Sequence, residues 1–437
     1  MTGQLWLTHG PNLVVLGGDG RGHTLWDGAT KSHLVGERDG QVFFAPGNGG
    51  VPFNLCYQVD PNDFDAVMGL VRAKQVGFLV VSAEKPLCRG IVDYVRLQDG
   101  PPVFGPSMDA AHIEGSKGFA YKCFLRWGVP TPESVVTRSI RKAHKTLKAW
   151  GPENSVIKAD GLCEGKGVEL PETPVEAYDV LHRFMVDKVH GKAGETVVIQ
   201  RRRKGRECSI IALTDGVNVC FLPESRDQKL FNKRNTGGTG AYSPVPDIGE
   251  GTLEIMRRVT ERIVAGLRQA ERLYRGSIYV GFILTENGPE VLEVNCRFGD
   301  PEAEVIIPRL HSSIDLLELM LATTKRNGLA KVPRILPTTD DAVVSFALMS
   351  KGYPGDYKKG LEITDTGKDN ALAWVRHAGT KWSFNGKVWE TTGGRVAHAV
   401  GRGKTMSAAR RNGRRRAAGF KFKDKQIRTD IGLEAVR

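Results

Sequence analysis

The densest chemistry in the chain lies in Pro289-Glu-Val-Leu-Glu-Val-Asn-Cys-Arg-Phe-Gly-Asp-Pro-Glu302. Side chains alternate along a strand, so Val291, Glu293 and Asn295 fall on one face with Arg297 next, while Leu292 and Val294 point to the core. A carboxylate and an amide oxygen two residues apart form a half-site for Mg²⁺, a hard cation that completes its shell with waters and substrate phosphates. An isolated Glu-x-Asn is more often an ordinary half-exposed strand. Here Arg297, Asp300 and Glu302 follow at once on a glycine-bearing turn, a concentration of charge that a solvated loop does not require.

Three other segments carry chemistry. In Lys158-Ala-Asp-Gly-Leu-Cys-Glu-Gly-Lys-Gly-Val168 one lysine ends an apolar strand and Lys166 sits between Gly165 and Gly167. Glycines let backbone N–H groups approach a phosphate, and lysines supply charge. No hydroxyl residue follows Lys166, so this is not a Walker-type loop. In Val197-Val-Ile-Gln-Arg-Arg-Arg-Lys-Gly-Arg-Glu207 an apolar strand runs into a polar hinge. Two readings stand level: a hinge offering backbone groups to a purine with Glu207 toward ribose hydroxyls, or a basic nucleic-acid contact, since five of the six residues 201–206 are Lys or Arg. The fourth segment, Lys229 to Pro244, ends in Asn235-Thr-Gly-Gly-Thr-Gly-Ala-Tyr-Ser-Pro244. It pairs an anion-friendly loop with an anchor at Ala241-Tyr242.

The elements that must position these residues alternate between strand and helix. Asn12 to Leu16 runs into Gly17-Gly-Asp-Gly-Arg-Gly-His23, the strand–glycine loop–helix pattern of an open α/β sheet. Gly77 to Val81 and Val103-Phe104 add strands, and this part ends near residue 111. A longer region, 112–330, holds strands at 155–158 and 196–200 and hairpins turning at Asp215-Gly216 and Asn287-Gly288. Residues 331–340 read as a linker, and 341–437 as a small domain of short strands and turns.

The chain has 437 residues, 62 basic and 49 acidic, a net charge of +13. Nine of those charges fall between Gly401 and Lys425, so the body is nearly neutral and not built throughout for nucleic acid. No apolar stretch approaches the roughly 18 residues of a membrane helix. Met1 to Gly10 lacks the basic run and apolar block of a secretory signal. Seven scattered cysteines, none in a C-x-x-C pair, argue against a disulfide framework or zinc site and for a reducing, cytoplasmic compartment.

In this order the segments resemble the ATP-grasp ligases, and among them the phosphoribosylamine–glycine ligase (glycinamide ribonucleotide synthetase) family. Nearly the whole chain takes part: Glu114-Gly-Ser-Lys117-Gly-Phe-Ala120, Lys158-Ala-Asp-Gly161, Gly165-Lys-Gly-Val168, Asn235-Thr-Gly-Gly238, Gly240-Ala-Tyr-Ser-Pro244, Leu292 to Glu302, Gly352-Tyr-Pro-Gly-Asp-Tyr357, His377-Ala-Gly-Thr380, Gly393-Gly-Arg-Val396 and Asp430-Ile-Gly432. The resemblance implies an α/β chain, α+β overall. It comprises a Rossmann-like pre-ATP-grasp domain (1–111), an ATP-grasp domain (112–330, lid about 125–200), the linker, and a β-rich α+β domain (341–437). It implies a cytoplasmic, monomeric enzyme of purine biosynthesis, with no membrane or nucleic-acid partner. Using ATP and Mg²⁺ or Mn²⁺, such an enzyme joins glycine to 5-phosphoribosylamine through a glycyl phosphate.

Carried onto this chain, the resemblance puts Lys117 and Lys158 on ATP phosphates beneath a covering loop of Gly165, Lys166, Gly167 and Val168. Gln200, Arg201 and Arg203 would hold adenine, Glu207 the ribose, and Glu293 and Asn295 the metal. Arg297, Gly299 and Asp300 would lie beside glycine and the ribosylamine, with Gly238, Gly240, Gly18, Gly20, Asn48 and Glu84 around them. Arg297, Asp300, Asp227 and Lys166 are the catalytic candidates. The chain departs from the family pattern at Gln200, where a glutamate is usual, at Arg201-Arg202-Arg203, in a shortened loop before Asn235, and at Gly22, Ser82 and Ala83. Two alternatives stand beside the main reading: a ligase for a different amine and acid, and a non-catalytic paralogue that binds nucleotide or nucleic acid. Arg410 to Arg416 motivates the latter, against a solvated helix over 407–418.

Overall fold

The computed structural model describes residues 10–37, 39–163, 165–232, 234–383 and 388–436. Its first sheet is parallel, in the order Val42–Pro46, Asn12–Gly17, Val76–Val81, Val103–Phe104. Leu13 to Leu16 are fully buried, as expected of a parallel strand covered on both faces. The strand Val42–Pro46 was not expected from the sequence. Asp19 follows the first strand and caps the helix Gly20–Thr30 by accepting from the Gly22 N–H.

The central sheet is antiparallel, in the order Val219–Phe221, Arg206–Thr214, Gly276–Thr285, Gly288–Asn295. Asp215 closes its first hairpin by accepting from the Val217 and Asn218 N–H groups, with Gly216 at φ +91°. The last strand does not alternate as predicted. Gly281 pairs with Glu293 but the next residue, Phe282, pairs with Val291, so Leu292 is an extra residue, a bulge. Val291 therefore packs in the core, and Leu292, expected there, faces the cavity between the sheets.

A separate sheet, ordered Ser134–Thr137, Val197–Arg201, Ser155–Ala159, Val168–Glu169, forms the lid. The helices Ile140–Trp150 and Pro174–Met185 pack behind it around Leu147, Ile157, Leu181, Phe184 and Ile199, a core of its own. A capping box of Thr173 and Glu176 starts the second of these helices.

Five strands form a sheet that crosses the predicted linker, in the order Arg226–Asp227, Gly240–Ser243, Ala342–Met349, Arg395–Gly403, Ala373–His377. The linker itself is pinned: the Phe221 N–H donates to the Arg334 carbonyl, the Leu336 N–H to the Phe221 carbonyl, and Arg334 pairs with Glu254 and Glu261. The helix Met406–Gly419 lies on this sheet, brought close where a Cβ on Gly401 would stand 2.2 Å from the Gly413 nitrogen. That corrects the picture of a solvated helix. Arg410 and Arg416 are buried, the latter forked onto Asp365 and bonded to Asp369, while Arg411, Arg414 and Arg415 remain exposed.

The first helix meets the C-terminal strands through two buried histidines. The His377 N–H donates to His23 Nδ1 at 2.9 Å, and Asn48 Nδ2 donates to the His377 carbonyl at 2.8 Å. Burial pushes the His23 ring well below its ordinary value and His377 down to about 4, with Arg376 adding to both. Both rings are neutral in the fold, whereas the unfolded chain takes up protons near pH 6.5, so stability that is complete above that pH is lost as pH falls toward 4. From pH 7.5 to 5, His377 alone should remove roughly 2 kcal/mol. Melting midpoints across this range should fall in the parent chain and fall less in His377→Gln; parallel profiles would contradict the assignment.

Candidate active site

The lid and central sheets enclose a cavity of about 410 Å³. At its lid end, Lys158 closes the strand Ser155–Ala159 and donates to the Leu292 carbonyl at 3.2 Å. Burial, reinforced by the Lys117 and Lys229 ammonium groups and only partly opposed by Glu293, lowers its pKa to about 8. Lys117 opens the helix Lys117–Trp127, capped by Ser116. Its Nζ reaches the Gly161 carbonyl at 2.9 Å, and the Asp160 carboxylate accepts from the Gly118 N–H and Ser116 Oγ. Gly165, Gly167 and Val168 line the cavity, whereas Lys166 is exposed and is not among the lining residues. Gly165, at φ +79°, comes so close to Gly237 that a Cβ would stand 3.3 Å from its Cα.

The hinge separates the two readings of its basic run. Arg201 pairs with Glu133 at 3.3 Å, Arg202 with Glu172 at 2.6 Å and Arg203 with Glu290 at 2.7 Å. Such exposed pairs contribute little stability, yet they cancel the charge a polyanion would need. Ser134 Oγ donates to the Pro132 carbonyl and so accepts from Gln200 Nε2 at 3.2 Å. The Gln200 carbonyl oxygen is the group left for the cavity, which Gln200 lines with Arg201, Arg203 and Glu207.

Past the hinge, carboxylates crowd together. Lys229 Nζ stands 3.0 Å from Glu293 Oε1, 3.5 Å from Glu207 Oε2 and 4.0 Å from Asp227 Oδ2. Thr236 holds the Lys229 carbonyl through both its N–H and its hydroxyl, fixing the lysine's place. Burial alone would raise the Glu293 carboxyl, but Lys229, Lys158 and Arg297 outweigh it and bring it down to about 2. Burial dominates at Asp227 and lifts it to about 8, and Glu302 is also raised by burial. Asn295 lines the cavity with Glu293. This oxygen-rich set, with one carboxylate held ionised, suits a hard divalent cation.

At the far end Arg297 is gripped by Glu84 at 3.3 Å and Glu114 at 3.4 Å. Glu114 in turn accepts from the Cys296 N–H at 2.6 Å. Burial works against ionisation of Asp300, but Arg395 at 3.1 Å and His398 at 3.2 Å hold its carboxyl well below the usual range. Glu84, Arg297 and Asp300 line the cavity; Gly18, Gly20, Asn48, Gly238, Gly240 and Gly299 do not. These six shape the wall instead. Asn48 ties Gly18 to His377, and a Cβ on Gly238 would meet Pro301 at 2.5 Å. Sequence reasoning missed the lining residues Asp19, Arg21, Glu114, Lys229 and Arg395. Each lies inside or beside a glycine-bearing motif already singled out, the one signal available for them.

Comparison with known proteins agrees with this geometry. Residues 11–114, 115–303 and 343–434 match the N, ATP-grasp (A) and C domains of phosphoribosylglycinamide synthetase. The chain is 37% identical over 435 residues to the human trifunctional purine biosynthetic protein adenosine-3, covering 97% of this chain but 42% of that protein's length. It is 34% identical to the phosphoribosylamine–glycine ligase of Rhodopirellula baltica, covering 97% of this chain and 98% of that one. The crystal structure of phosphoribosylamine–glycine ligase from Thermotoga maritima superposes with a TM-score of 0.79 at 27% identity, covering 96% of this chain and all of that one. Fold and site define an ATP-grasp architecture with N, A and C domains. The chain belongs to the phosphoribosylamine–glycine ligase family.

Lys229 occupies the place beside Glu293 that a cation would share. Lys229→Met should cost roughly 1–3 kcal/mol, because the acids it leaves unpaired include the buried Asp227 but also the partly exposed Glu293 and Glu207. Added Mg²⁺ should then raise the melting midpoint more in the variant than in the parent. Equal Mg²⁺ shifts in the two would show that Lys229 does not govern this charge.

Proposed function

We propose that this chain joins glycine to 5-phosphoribosylamine, converting ATP to ADP and phosphate and yielding glycinamide ribonucleotide for purine biosynthesis. The observation that carries the reading is that one cavity is lined by the buried Lys158 ammonium on the lid and by the half-buried Glu293 and Asn295 on the central sheet. Membership of a family whose full-length relatives are named for this reaction supports it.

In this reading adenine docks at the hinge. Its 6-amino group donates to the free Gln200 carbonyl oxygen, which a guanine 6-oxo group could not do. Glu207 takes the ribose hydroxyls, and Lys117 and Lys158 neutralise phosphate oxygens under the loop at Gly165 to Val168. Glu293 and Asn295 would hold Mg²⁺ or Mn²⁺, which supplies charge neutralisation for the transferring phosphoryl group. Glycine's carboxylate accepts that group, the amine then attacks the carbonyl carbon, and phosphate leaves. Arg297 and Asp300 orient the two substrates, and the closed lid keeps water from the acyl phosphate. Asp227 would take the proton released by the attacking amine, through the ionised minority that remains near neutrality once burial has raised its carboxyl to about 8. Lys166, exposed in this structure, acts only if the lid carries it inward. The seven free thiols favour a cytoplasmic location.

The test is ADP release with ATP, Mg²⁺, glycine and phosphoribosylamine, omitting each in turn. ADP should form only with the complete set; equal release without the amine, or with another amine preferred, would overturn the substrate assignment. Glu293→Ala should lose at least a hundredfold in turnover with unchanged circular dichroism. Near-normal turnover in that variant would refute the metal assignment.

A further inference from the structure

Beside the nucleotide cavity lies a second group of chemically capable side chains. Asp300 follows the last strand of the central sheet, Glu304 lies in the short helix Ala303–Ile306, and His398 is on the strand Arg395–Gly403. All three are buried, Glu304 and His398 completely. One ligating atom from each lies within 4.8 Å of the others.

Their oxygens and nitrogen have no hydrogen-bond partners. Both carboxylate oxygens of Asp300, both of Glu304 and His398 Nε2 are unsatisfied. The 3.2 Å approach of His398 Nε2 to Asp300 Oδ1 lacks hydrogen-bond alignment. Neighbouring arginines do not relieve this. Arg395 Nη1 donates to the backbone carbonyls of Gly237 and Asp300, and Arg21 donates to the Phe298 carbonyl and to Asp19. They bring positive charge near Asp300 but direct their protons elsewhere. A buried carboxylate without a hydrogen bond is costly, and here Glu304, with no ion pair, and Asp300, opposed in charge by Arg395 at 3.1 Å, converge on one imidazole nitrogen. His398 Nδ1 faces Ser345 Oγ at 3.5 Å, so Nε2 is the ring nitrogen turned toward the carboxylates, and a metal ion would displace its proton. Gly20 leaves the room: a Cβ there would stand 2.5 Å from Glu304 Oε1 and 2.6 Å from His398 Cδ2.

We propose that Asp300, Glu304 and His398 bind a divalent transition-metal ion of the Zn²⁺ type, at a site separate from Glu293 and Asn295. One imidazole and two carboxylates form a donor set for Zn²⁺ or its neighbours rather than for Mg²⁺, which favours oxygen alone. The ion satisfies the orphaned atoms, ties the turn at Asp300 to the C-terminal strand through His398, and fixes the Asp300 carboxylate at the cavity wall.

The test uses the full-length chain, stripped with a chelator and given Zn²⁺ alone, without nucleotide or Mg²⁺. Metal content after desalting should be one equivalent in the parent and in Glu293→Ala. In Glu304→Gln and His398→Gln, checked for folding by circular dichroism, Zn²⁺ affinity should fall at least tenfold. Zn²⁺ should raise the parent's melting midpoint. Co²⁺ given in its place should show visible absorption bands of a low-coordinate site, so the parent chain is informative even if both variants misfold. A parent that retains no Zn²⁺ and whose midpoint Zn²⁺ leaves unmoved would overturn the proposal, in favour of protons satisfying the cluster. Retention at full affinity in both folded variants, or loss in Glu293→Ala, would overturn it equally.

Discussion

The cavity is governed by how its many acids are paired with cations. Glu84, Glu114, Glu207, Asp227, Glu293, Asp300 and Glu302 all line it, and charges removed from water persist only when opposed. The opposition comes in three clusters. Lys229 answers Glu293, Glu207 and Asp227; Arg297 answers Glu84 and Glu114; Arg395 answers Asp300. Each cation comes from a chain segment different from that of most of its partners, so the charge balance is also a set of tertiary ties. Its lysines and arginines therefore hold the acids in place as well as lining the cavity.

Much of this was legible in the residues. Glu293, Asn295 and Lys158 stood out because their types and spacing follow local rules of strand geometry. All three line one cavity, as do Lys117, Gln200 and Glu207. The bulge at Leu292 was not legible, because a two-residue period assumes unbroken pairing and the interruption is set jointly with the neighbouring strand at Gly281-Phe282. Lys229 and Arg395 escaped for a related reason. Their role is fixed by which acids they meet in space, which the glycine-bearing motifs around them flag without specifying. Lys166 is a different case: a lysine between two glycines has the right chemistry for phosphate, and here the backbone leaves it exposed, outside the cavity lining.

The basic segments teach the same point about charge. Counted along the chain, Arg201 to Arg203 and Arg410 to Arg416 look like polyanion contacts. In the fold the first run is neutralised by Glu133, Glu172 and Glu290, and two arginines of the second are buried beneath the sheet-packing helix, one of them held by Asp365 and Asp369. Sequence charge is a property of a segment, whereas surface charge belongs to whatever that segment meets.

Among the described residues, the four lid strands share no ladder with any other sheet, and their apolar interior is separate from the two large cores. The C-terminal strands, by contrast, extend a sheet begun by Arg226–Asp227. The two additions to the central body therefore have opposite mechanical freedom. Among the described residues, moving the lid sheet would unpair no strand of another sheet, whereas displacing the C-terminal part would mean unzipping a five-stranded sheet. Opening for substrate entry and product exit is thus confined to one side of the molecule.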